Sequence, residues 1–332
     1  MDKVKKVGLT ALAGSLAAVS AHAAEMTVSG ATLLTYTSED ESEVTGNPLG
    51  MKTNLAFTAS GDVNGYTVSY FQASKDQFAG MSSARLSVDM GDLGTIAYDQ
   101  GSGSGLATID DKTPTAAEEI WDGLDGLTTG GLVGAAGNTG VINYIKSVAG
   151  VTLNIAARSG SGTANSDGSS SGTNGGAADI AITGAGDVLG VDGLAWGIGY
   201  GEAEQGEQTD ARGTRSDDTH ATIFANYSMG PATLGVQMSE IQSGGNGKAG
   251  ERLEAWGLAF NVNDSLSVSY GERDVEYDKP SAANVTEKGD GIAIAYTMGS
   301  MKIAGNRNEV KDNDGTTSSD DSMTEIALSF AF

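Results

Sequence analysis

The residues that could do chemistry are concentrated in one acidic stretch, Gln100 to Thr139, in which Lys112 is the only base. Its six acids are Asp110, Asp111, Glu118, Glu119, Asp122 and Asp125. Clustered carboxylates attract cations and repel anions, so the stretch predicts a preference for cations wherever it lines a passage. Thr115 to Leu124 is predicted to form a short helix, with Glu118 and Glu119 in its first turns, where the helix dipole favours acids. The plainer alternative is a solvated acidic surface loop.

Basic side chains recur in phase with small polar residues in segments where every second residue is apolar. They are Lys52, Arg85, Arg158, Lys302 and, in phase with three serines, Arg273. If these polar faces line a channel, the bases oppose the acidic stretch and create a field that orients dipolar solutes and hinders apolar ones. The plainer alternative is that the bases only offset acids of the same face, such as Asp89.

The residue types and their spacing give little support for an enzyme or a metal-binding protein. His220 is the only histidine after residue 23, no serine pairs recognisably with it, and the chain has no cysteine. We therefore predict no enzyme activity, no catalytic residue, no metal site and no cofactor. Two acidic groups offer oxygen ligands suited to Ca²⁺, but their spacing matches no ordered calcium loop. They are Glu39-Asp40-Glu41 and the set Asp312, Asp314, Asp320 and Asp321. We interpret both groups chiefly as solvated loops and leave loosely held Ca²⁺ open.

The elements that must position these residues are strands. Apolar and polar residues alternate over many segments of about ten residues, which predicts strands with two unlike faces. In the last segment one face carries Ile326, Leu328, Phe330 and Phe332, and the other carries Glu325, Ala327, Ser329 and Ala331. Seven short turns rich in Gly, Asn and Asp alternate with eight long polar loops, so the chain is predicted to contain sixteen strands. Asp278 to Lys288 is one of the predicted loops.

This alternation of short and long connections predicts a transmembrane antiparallel β-barrel, because outer-membrane barrels have short periplasmic turns and long outer loops. In hydrocarbon every backbone group must be paired internally, so strands cross only as a closed sheet. A base facing lipid near the middle of the barrel costs a few kcal/mol, which places the bases above in the lumen. Sixteen strands enclose more space than side chains fill, so the lumen is predicted to hold water.

The N-terminus and the overall charge indicate an exported protein. Lys3, Lys5 and Lys6 precede an apolar stretch that ends at Ala21-His22-Ala23, which predicts a signal peptide over residues 1–23 and a single barrel over 24–332. The 332-residue chain has a net charge of −24, and removal of the leader makes it −26. Such a charge argues against binding nucleic acid. The absence of cysteine excludes a disulfide scaffold.

Several motifs occur in an order that resembles one family. They are Met26-Thr27-Val28-Ser29-Gly30, Gly91-Asp92-Leu93-Gly94, Val141-Ile142-Asn143-Tyr144, Tyr227-Ser228-Met229-Gly230-Pro231 and the terminal Phe332. Together with the lysine-bearing leader, they resemble a Gram-negative general porin of the alphaproteobacterial type over nearly all the mature chain. The chain departs from the family in its sparse aromatics and in Asn143, which stands where many relatives carry Arg.

The resemblance implies an outer-membrane homotrimer in which each barrel has its own pore, narrowed by the third long loop folded inward. Residues 100–139 are the third long loop by position, so they would bring a net charge of −5 to the constriction. Phe332 would be an assembly signal for the outer-membrane insertion machinery. We expect passive diffusion of small hydrophilic solutes and ions, with cations preferred. The alternative is a secreted or surface-attached Gly/Asp-rich structural or adhesin protein without a pore, which needs a repeated unit that the sequence does not show.

Overall fold

The computed structural model describes residues 25–41, 45–74, 80–124, 130–137, 139–160, 175–204, 217–244, 250–279 and 282–332. The predicted signal peptide, residues 1–23, lies outside this part of the chain. The sixteen strands are β1 Glu25–Glu41, β2 Leu49–Val63, β3 Tyr66–Ser74, β4 Met81–Asp89, β5 Thr95–Gln100, β6 Thr139–Val148, β7 Val151–Arg158, β8 Ala177–Ala185, β9 Leu194–Ala203, β10 Asp218–Met229, β11 Ala232–Gln242, β12 Gly250–Asn261, β13 Leu266–Asp278, β14 Val285–Met298, β15 Met301–Lys311 and β16 Asp321–Ala331.

Helical structure in the described residues is limited to short 3₁₀ turns. These turns are Gly91–Leu93, Gly105–Ile109, Gly186–Leu189 and Asn313–Gly315. No helix among the described residues is long and apolar enough to cross a membrane.

The strands form one closed ring. Each strand pairs antiparallel with the next, and β1 pairs with β16. Beyond the end of β16, the Phe332 N–H donates to the Gly30 carbonyl at 2.9 Å and the Gly30 N–H donates to the Phe332 carbonyl at 2.8 Å, which extends this closing ladder. The predicted closed antiparallel barrel of sixteen strands is confirmed.

Connections alternate in length around the ring. Four turns contain only two residues, 64–65, 149–150, 230–231 and 299–300. Asn64 and Gly65 both have positive φ, 55° and 85°, as the tight hairpin turns that match strand twist require. The longest connection, residues 101–138 between β5 and β6, is called loop 3 below. The last connection, residues 312–320 between β15 and β16, is called loop 8.

The two faces of the barrel differ sharply in chemistry. Large apolar side chains point outward, for example Leu258 with 43% and Ile292 with 59% of its surface exposed. Small and polar side chains point inward, as Gln237 and Ser269 do. The alternation read from the sequence thus separates an apolar exterior from a polar interior, the arrangement of a barrel surrounded by lipid.

One predicted loop is shorter than expected, because β14 begins at Val285 and includes Lys288. Val285 pairs with Tyr277, and Lys288 pairs with both Asp274 and Lys311. The prediction of a loop over Asp278–Lys288 is therefore wrong at its C-terminal end. Polar residues occur on both faces at this end of β13–β15, so composition alone resembles that of a loop.

The described residues of loop 3 lie inside the ring. Apolar residues of loop 3 pack against small or apolar side chains of the inner wall and form buried clusters with them. One cluster joins Leu106, Ile109 and Ala135 to Ala181 and Phe224, a second joins Leu132 to Leu253, Ala255, Val275 and Tyr277, and a third joins Leu124 to Val310 and Met323. Because these wall residues belong to strands on several sides of the ring, the segment crosses the barrel interior.

Candidate pore constriction

Inward-facing polar side chains bind the main chain of loop 3 around most of the ring. The contacts are Asn154 Oδ1 to the Gly105 N–H at 2.9 Å, Asp179 Oδ1 to the Leu106 N–H at 3.0 Å, Asn226 Nδ2 to the Lys112 carbonyl at 2.7 Å, Gln237 Oε1 to the Lys112 N–H at 2.7 Å and Ser269 Oγ to the Ala116 N–H at 2.9 Å. Asn308 Nδ2 donates to the Glu119 and Asp122 carbonyls at 3.1 and 2.9 Å. The wall thus fixes where the side chains of loop 3 stand.

The helix predicted over Thr115–Leu124 does not form. The segment consists of bends and two overlapping turns, in which the Asp122 N–H donates to the Glu119 carbonyl at 3.0 Å and the Leu124 N–H donates to the Trp121 carbonyl at 3.4 Å. Asn308 Nδ2 and the hydroxyl of Thr115 donate to the Glu119 and Glu118 carbonyls, which a helix would have paired internally. The prediction was wrong because side chains of the wall compete for the backbone, which a single-segment propensity does not include.

Three of the predicted acids come together on loop 3. Carboxylate oxygens of Glu118, Glu119 and Asp122 all lie within 4.8 Å of one another. Burial raises the pKa of Glu118, and the hydrogen bond to Asp122 and the charges of Asp122 and Glu119 act in the same direction. Three converging carboxylates can attract a cation, and they concentrate negative charge at one place in the lumen.

Asp110 and Asp111 stand at a second place on loop 3. The Asp111 N–H donates to Asp110 Oδ1 at 3.0 Å, and Asp111 has a φ of 48°. The Asp111 side chain reaches water, yet surrounding protein displaces much of the bulk solvent. This burial, together with the charge of Asp110, raises the pKa of Asp111 to about 7. Asp125 lies outside the described residues.

Two of the predicted bases, Lys52 and Lys302, lie near the acidic trio. Lys52, Glu118, Asp122 and Glu325 line one cavity of about 360 Å³. The charge of Lys302 opposes the rise in the pKa of Glu118. These two bases therefore stand beside the acids of loop 3 and partly offset them locally.

Arg85, in the middle of β4, and Arg158, the last residue of β7, both donate to carbonyl oxygens. Arg85 donates to the Gly103 carbonyl at 3.2 Å and to Asn143 Oδ1. Asn143 is fully buried and donates in turn to Asn154 and to the Ile155 carbonyl. Asn143, noted above as a departure from the pattern that the sequence resembles, thus accepts a hydrogen bond from Arg85 of β4. Arg158 is half-buried and donates to the Gly160 carbonyl at 3.4 Å.

Arg273 differs from its predicted place on the open pore wall. Its side chain faces inward, but only 1% of its surface is exposed, and it pairs with the fully buried Glu287. Its Nε donates to the Gly130 carbonyl of loop 3 at 3.1 Å. Loop 3 covers Arg273, so this base does not contribute an open charge to the lumen.

The sequence interpretation missed the wall residues that hold loop 3. Asp179 accepts from the Leu106 N–H at 3.0 Å and from the Ala136 N–H at 2.9 Å, and therefore fixes both arms of the loop. Gly105, with φ of 55°, is required because a Cβ there would lie 1.6 Å from the Asp179 carboxylate. A signal was present, since Asp179, Gln237 and Asn308 all stand in the inward phase of their strands.

The remaining candidates from the sequence are His220 and the two acidic groups considered for Ca²⁺. His220 is buried against Gly134 of loop 3, and neither ring nitrogen has a hydrogen-bond partner among the described residues. Asp312 and Asp320 accept hydrogen bonds from loop 8 itself, at 2.7 Å from the Ser318 N–H and 3.2 Å from the Asp312 N–H. The side chains of Asp40 and Glu41 lie outside the described residues.

The sequence matches no protein-family model and no curated protein. Solved structures share its fold. In-vitro folded OmpT, an outer membrane protein of Vibrio cholerae, is similar with a TM-score of 0.66 at 12% identity over 93% of this chain and 98% of that chain. An anion-selective porin from Comamonas acidovorans gives a TM-score of 0.62 at 13% identity, covering 93% and 100%.

A third similar structure is the outer membrane channel DcaP of Acinetobacter baumannii, with a TM-score of 0.64 at 12% identity over 93% of this chain and 97% of that chain. The chain therefore has the sixteen-strand barrel fold of outer-membrane porins and channels. The alternative of a secreted or surface-attached Gly/Asp-rich structural or adhesin protein without a pore is not supported.

Proposed function

We propose that the protein is an outer-membrane porin that forms a water-filled channel for passive diffusion of small hydrophilic solutes and ions. The supporting observation is a closed sixteen-strand barrel with an apolar exterior, whose polar interior is narrowed by loop 3. Solutes would move down their own gradients without enzymatic chemistry. The similar folds of a porin and an outer membrane channel support this function.

The finer parts of the proposal rest on sequence and geometry together. We propose a general porin of the alphaproteobacterial type, exported with a signal peptide and assembled as a homotrimer. A trimer form of OmpT from Vibrio cholerae has a similar fold. Phe332 is proposed as a signal for the insertion machinery, and the outer loops as contacts for lipopolysaccharide, with loosely held Ca²⁺ between them.

Cation preference is proposed from the acidic trio of Glu118, Glu119 and Asp122. At physiological salt the Debye length is about 8 Å, so charges within a narrow lumen are not fully screened. Lys52, Arg85, Lys112 and Lys302 reduce this potential, but the five acids of the trio and the Asp110–Asp111 pair outnumber them.

Liposome swelling tests the channel function directly. Proteoliposomes containing the full chain should swell in isosmotic arabinose or glycine, at a rate that falls as solute size increases. Liposomes carrying heat-denatured protein are the control. Swelling no faster than this control would refute the proposal.

A further inference from the structure

A buried ion pair connects two loops that are far apart in sequence. Arg273 on β13 and Glu287 on β14 both face the interior, with 1% and 0% of their side-chain surface exposed. Arg307 and Glu309, on the outer face of β15, form the opposite kind of pair, since both side chains are 43% exposed. Burial of the inner pair excludes water from both charges, so neither can lose its partner without a large cost.

The arginine of this pair holds loop 3. Arg273 Nε donates to the Gly130 carbonyl at 3.1 Å, and its guanidinium carbon lies 5.5 Å from the centroid of the Trp121 ring. The ring distance suits a cation–π contact. Arg273 therefore binds loop 3 at two points, close to the acidic trio.

The glutamate of the pair holds loop 8. Glu287 Oε2 accepts from the Asp314 N–H at 2.8 Å and from the Tyr277 hydroxyl at 3.2 Å. Lys279 donates to the Gly315 carbonyl. Gly315 has a φ of 64°, and a Cβ there would lie 2.8 Å from the Tyr277 ring. Loop 8 is thus seated on the inner wall at the same carboxylate that binds Arg273.

We propose that Arg273 and Glu287 are positioning residues that couple loop 8 to loop 3, so that the position of the constriction depends on the seating of an outer loop. The consequence of this coupling is that loop 8 would control solute passage, and that consequence rests on the proposed channel function. The coupling itself is a property of the two loops. It requires that a change in loop 8 alter loop 3 only while the pair is intact.

Cysteine labelling measures the position of loop 3 without any ion flow. The chain has no cysteine, so Ala117→Cys gives a single reporter on loop 3. The full chain carrying this reporter is reacted in detergent with a charged methanethiosulfonate. Glu287→Gln should raise the labelling rate at least about fivefold, the lower end of ordinary coupling between sites. Glu309→Gln removes the same charge from the exposed outer pair and should leave the rate unchanged.

The decisive variant is Gly315→Ala, which disturbs loop 8 and touches neither member of the pair. It should raise labelling of Ala117→Cys when Glu287 is present, and add nothing in the Glu287→Gln background. An unchanged rate with Gly315→Ala, or additive effects of the two substitutions, would overturn the coupling. If Glu287→Gln does not fold, as shown by lost heat-modifiable migration, Arg273→Gln combined with Glu287→Gln provides the uncoupled background, because it leaves no unpaired charge.

Bilayer conductance of the same preparations separates the two proposals. Wild-type protein without conductance but with coupled labelling rates would defeat the channel function and retain the coupling. If the protein conducts but Gly315→Ala leaves the labelling rate of Ala117→Cys unchanged, the coupling is refuted and the channel function stands.

Discussion

Glu118, Glu119 and Asp122 are the residues from which cation preference is proposed, and their carboxylates converge within 4.8 Å on loop 3. Converting all three to amides keeps their shape and removes up to three charges. The reversal potential in a tenfold KCl gradient should then move towards anions by at least about 10 mV, out of about 59 mV for ideal selectivity. The shift should be largest at low ionic strength.

The matched control for this prediction converts the exposed turn acids Asp92, Asp187 and Asp192 to Asn. The net charge changes by the same amount, but these residues lie in turns away from loop 3. The reversal potential of this triple variant should stay near the wild-type value. Equal shifts in both triple variants would show that overall charge, and not loop 3, sets the preference.

Asp111 should make selectivity depend on pH near neutrality. Its raised pKa of about 7 means that the carboxyl is mostly ionised at pH 8 and mostly protonated at pH 6. The lumen therefore loses about one negative charge as pH falls across this range, and cation preference should weaken. Reversal potentials measured from pH 8 to pH 6 check this. Asp111→Asn should behave at pH 8 as wild type does at pH 6, and an unaltered pH profile in this variant would contradict the assignment.

Among the elements, loop 3 depends most on Asp179, which binds the N–H groups of Leu106 and Ala136 in its two arms. Asp179→Asn retains one acceptor oxygen and presents an amide donor to the other N–H. Loss of a hydrogen bond to a charged group typically costs about 1.5–3 kcal/mol. We expect greater open-channel noise and more frequent subconductance states in single-channel records, because one arm of loop 3 is released.

The barrel itself should be unaffected by Asp179→Asn, since the strand ladder remains complete. Heat-modifiable migration should therefore match wild type. Asp187→Asn, in the turn after β8, serves as the control and should show wild-type noise. Quiet channels in Asp179→Asn would mean that packing alone holds the loop.

The strands were predictable because their period of two is a local signal that each segment carries by itself, as in Ile326, Leu328 and Phe330. The path of loop 3 was not, because it depends on partners such as Ser269 and Asn308 that are distant in sequence. Dependence on distant partners also explains Arg273. The alternation of β13 indicates that its side chain faces inward, but not that loop 3 covers it. Glu287 was assigned to a loop because its neighbours are polar.

For the whole molecule, Phe332 should matter through its main chain as well as its side chain. Both its N–H and its carbonyl pair with Gly30 at the closing ladder. Deleting Phe332 removes both hydrogen bonds and the aromatic ring, so the yield of folded trimer in outer membranes should fall severalfold. Phe332→Ala keeps the backbone pairing and isolates the proposed signal to the insertion machinery.

Refolding of the purified chain into detergent separates these two contributions. Phe332→Ala should refold there as well as wild type but assemble poorly in cells, if the ring is a signal. The deletion should be impaired in both settings. Normal assembly of the deleted chain in cells would show that Phe332 has neither role.

The closing ladder between β1 and β16 also dictates an order of events. β1 is synthesised before and β16 after all the other strands of the ring, so no growing chain can complete its barrel before β16 has been made. Until then the sheet keeps two open edges, which are templates for wrong pairing. The ring closure also brings together the most distant parts of the chain, and such contacts carry the largest loop-closure entropy and form slowly. Shielding of both open edges until β16 pairs with β1 would therefore favour correct closure of this ring.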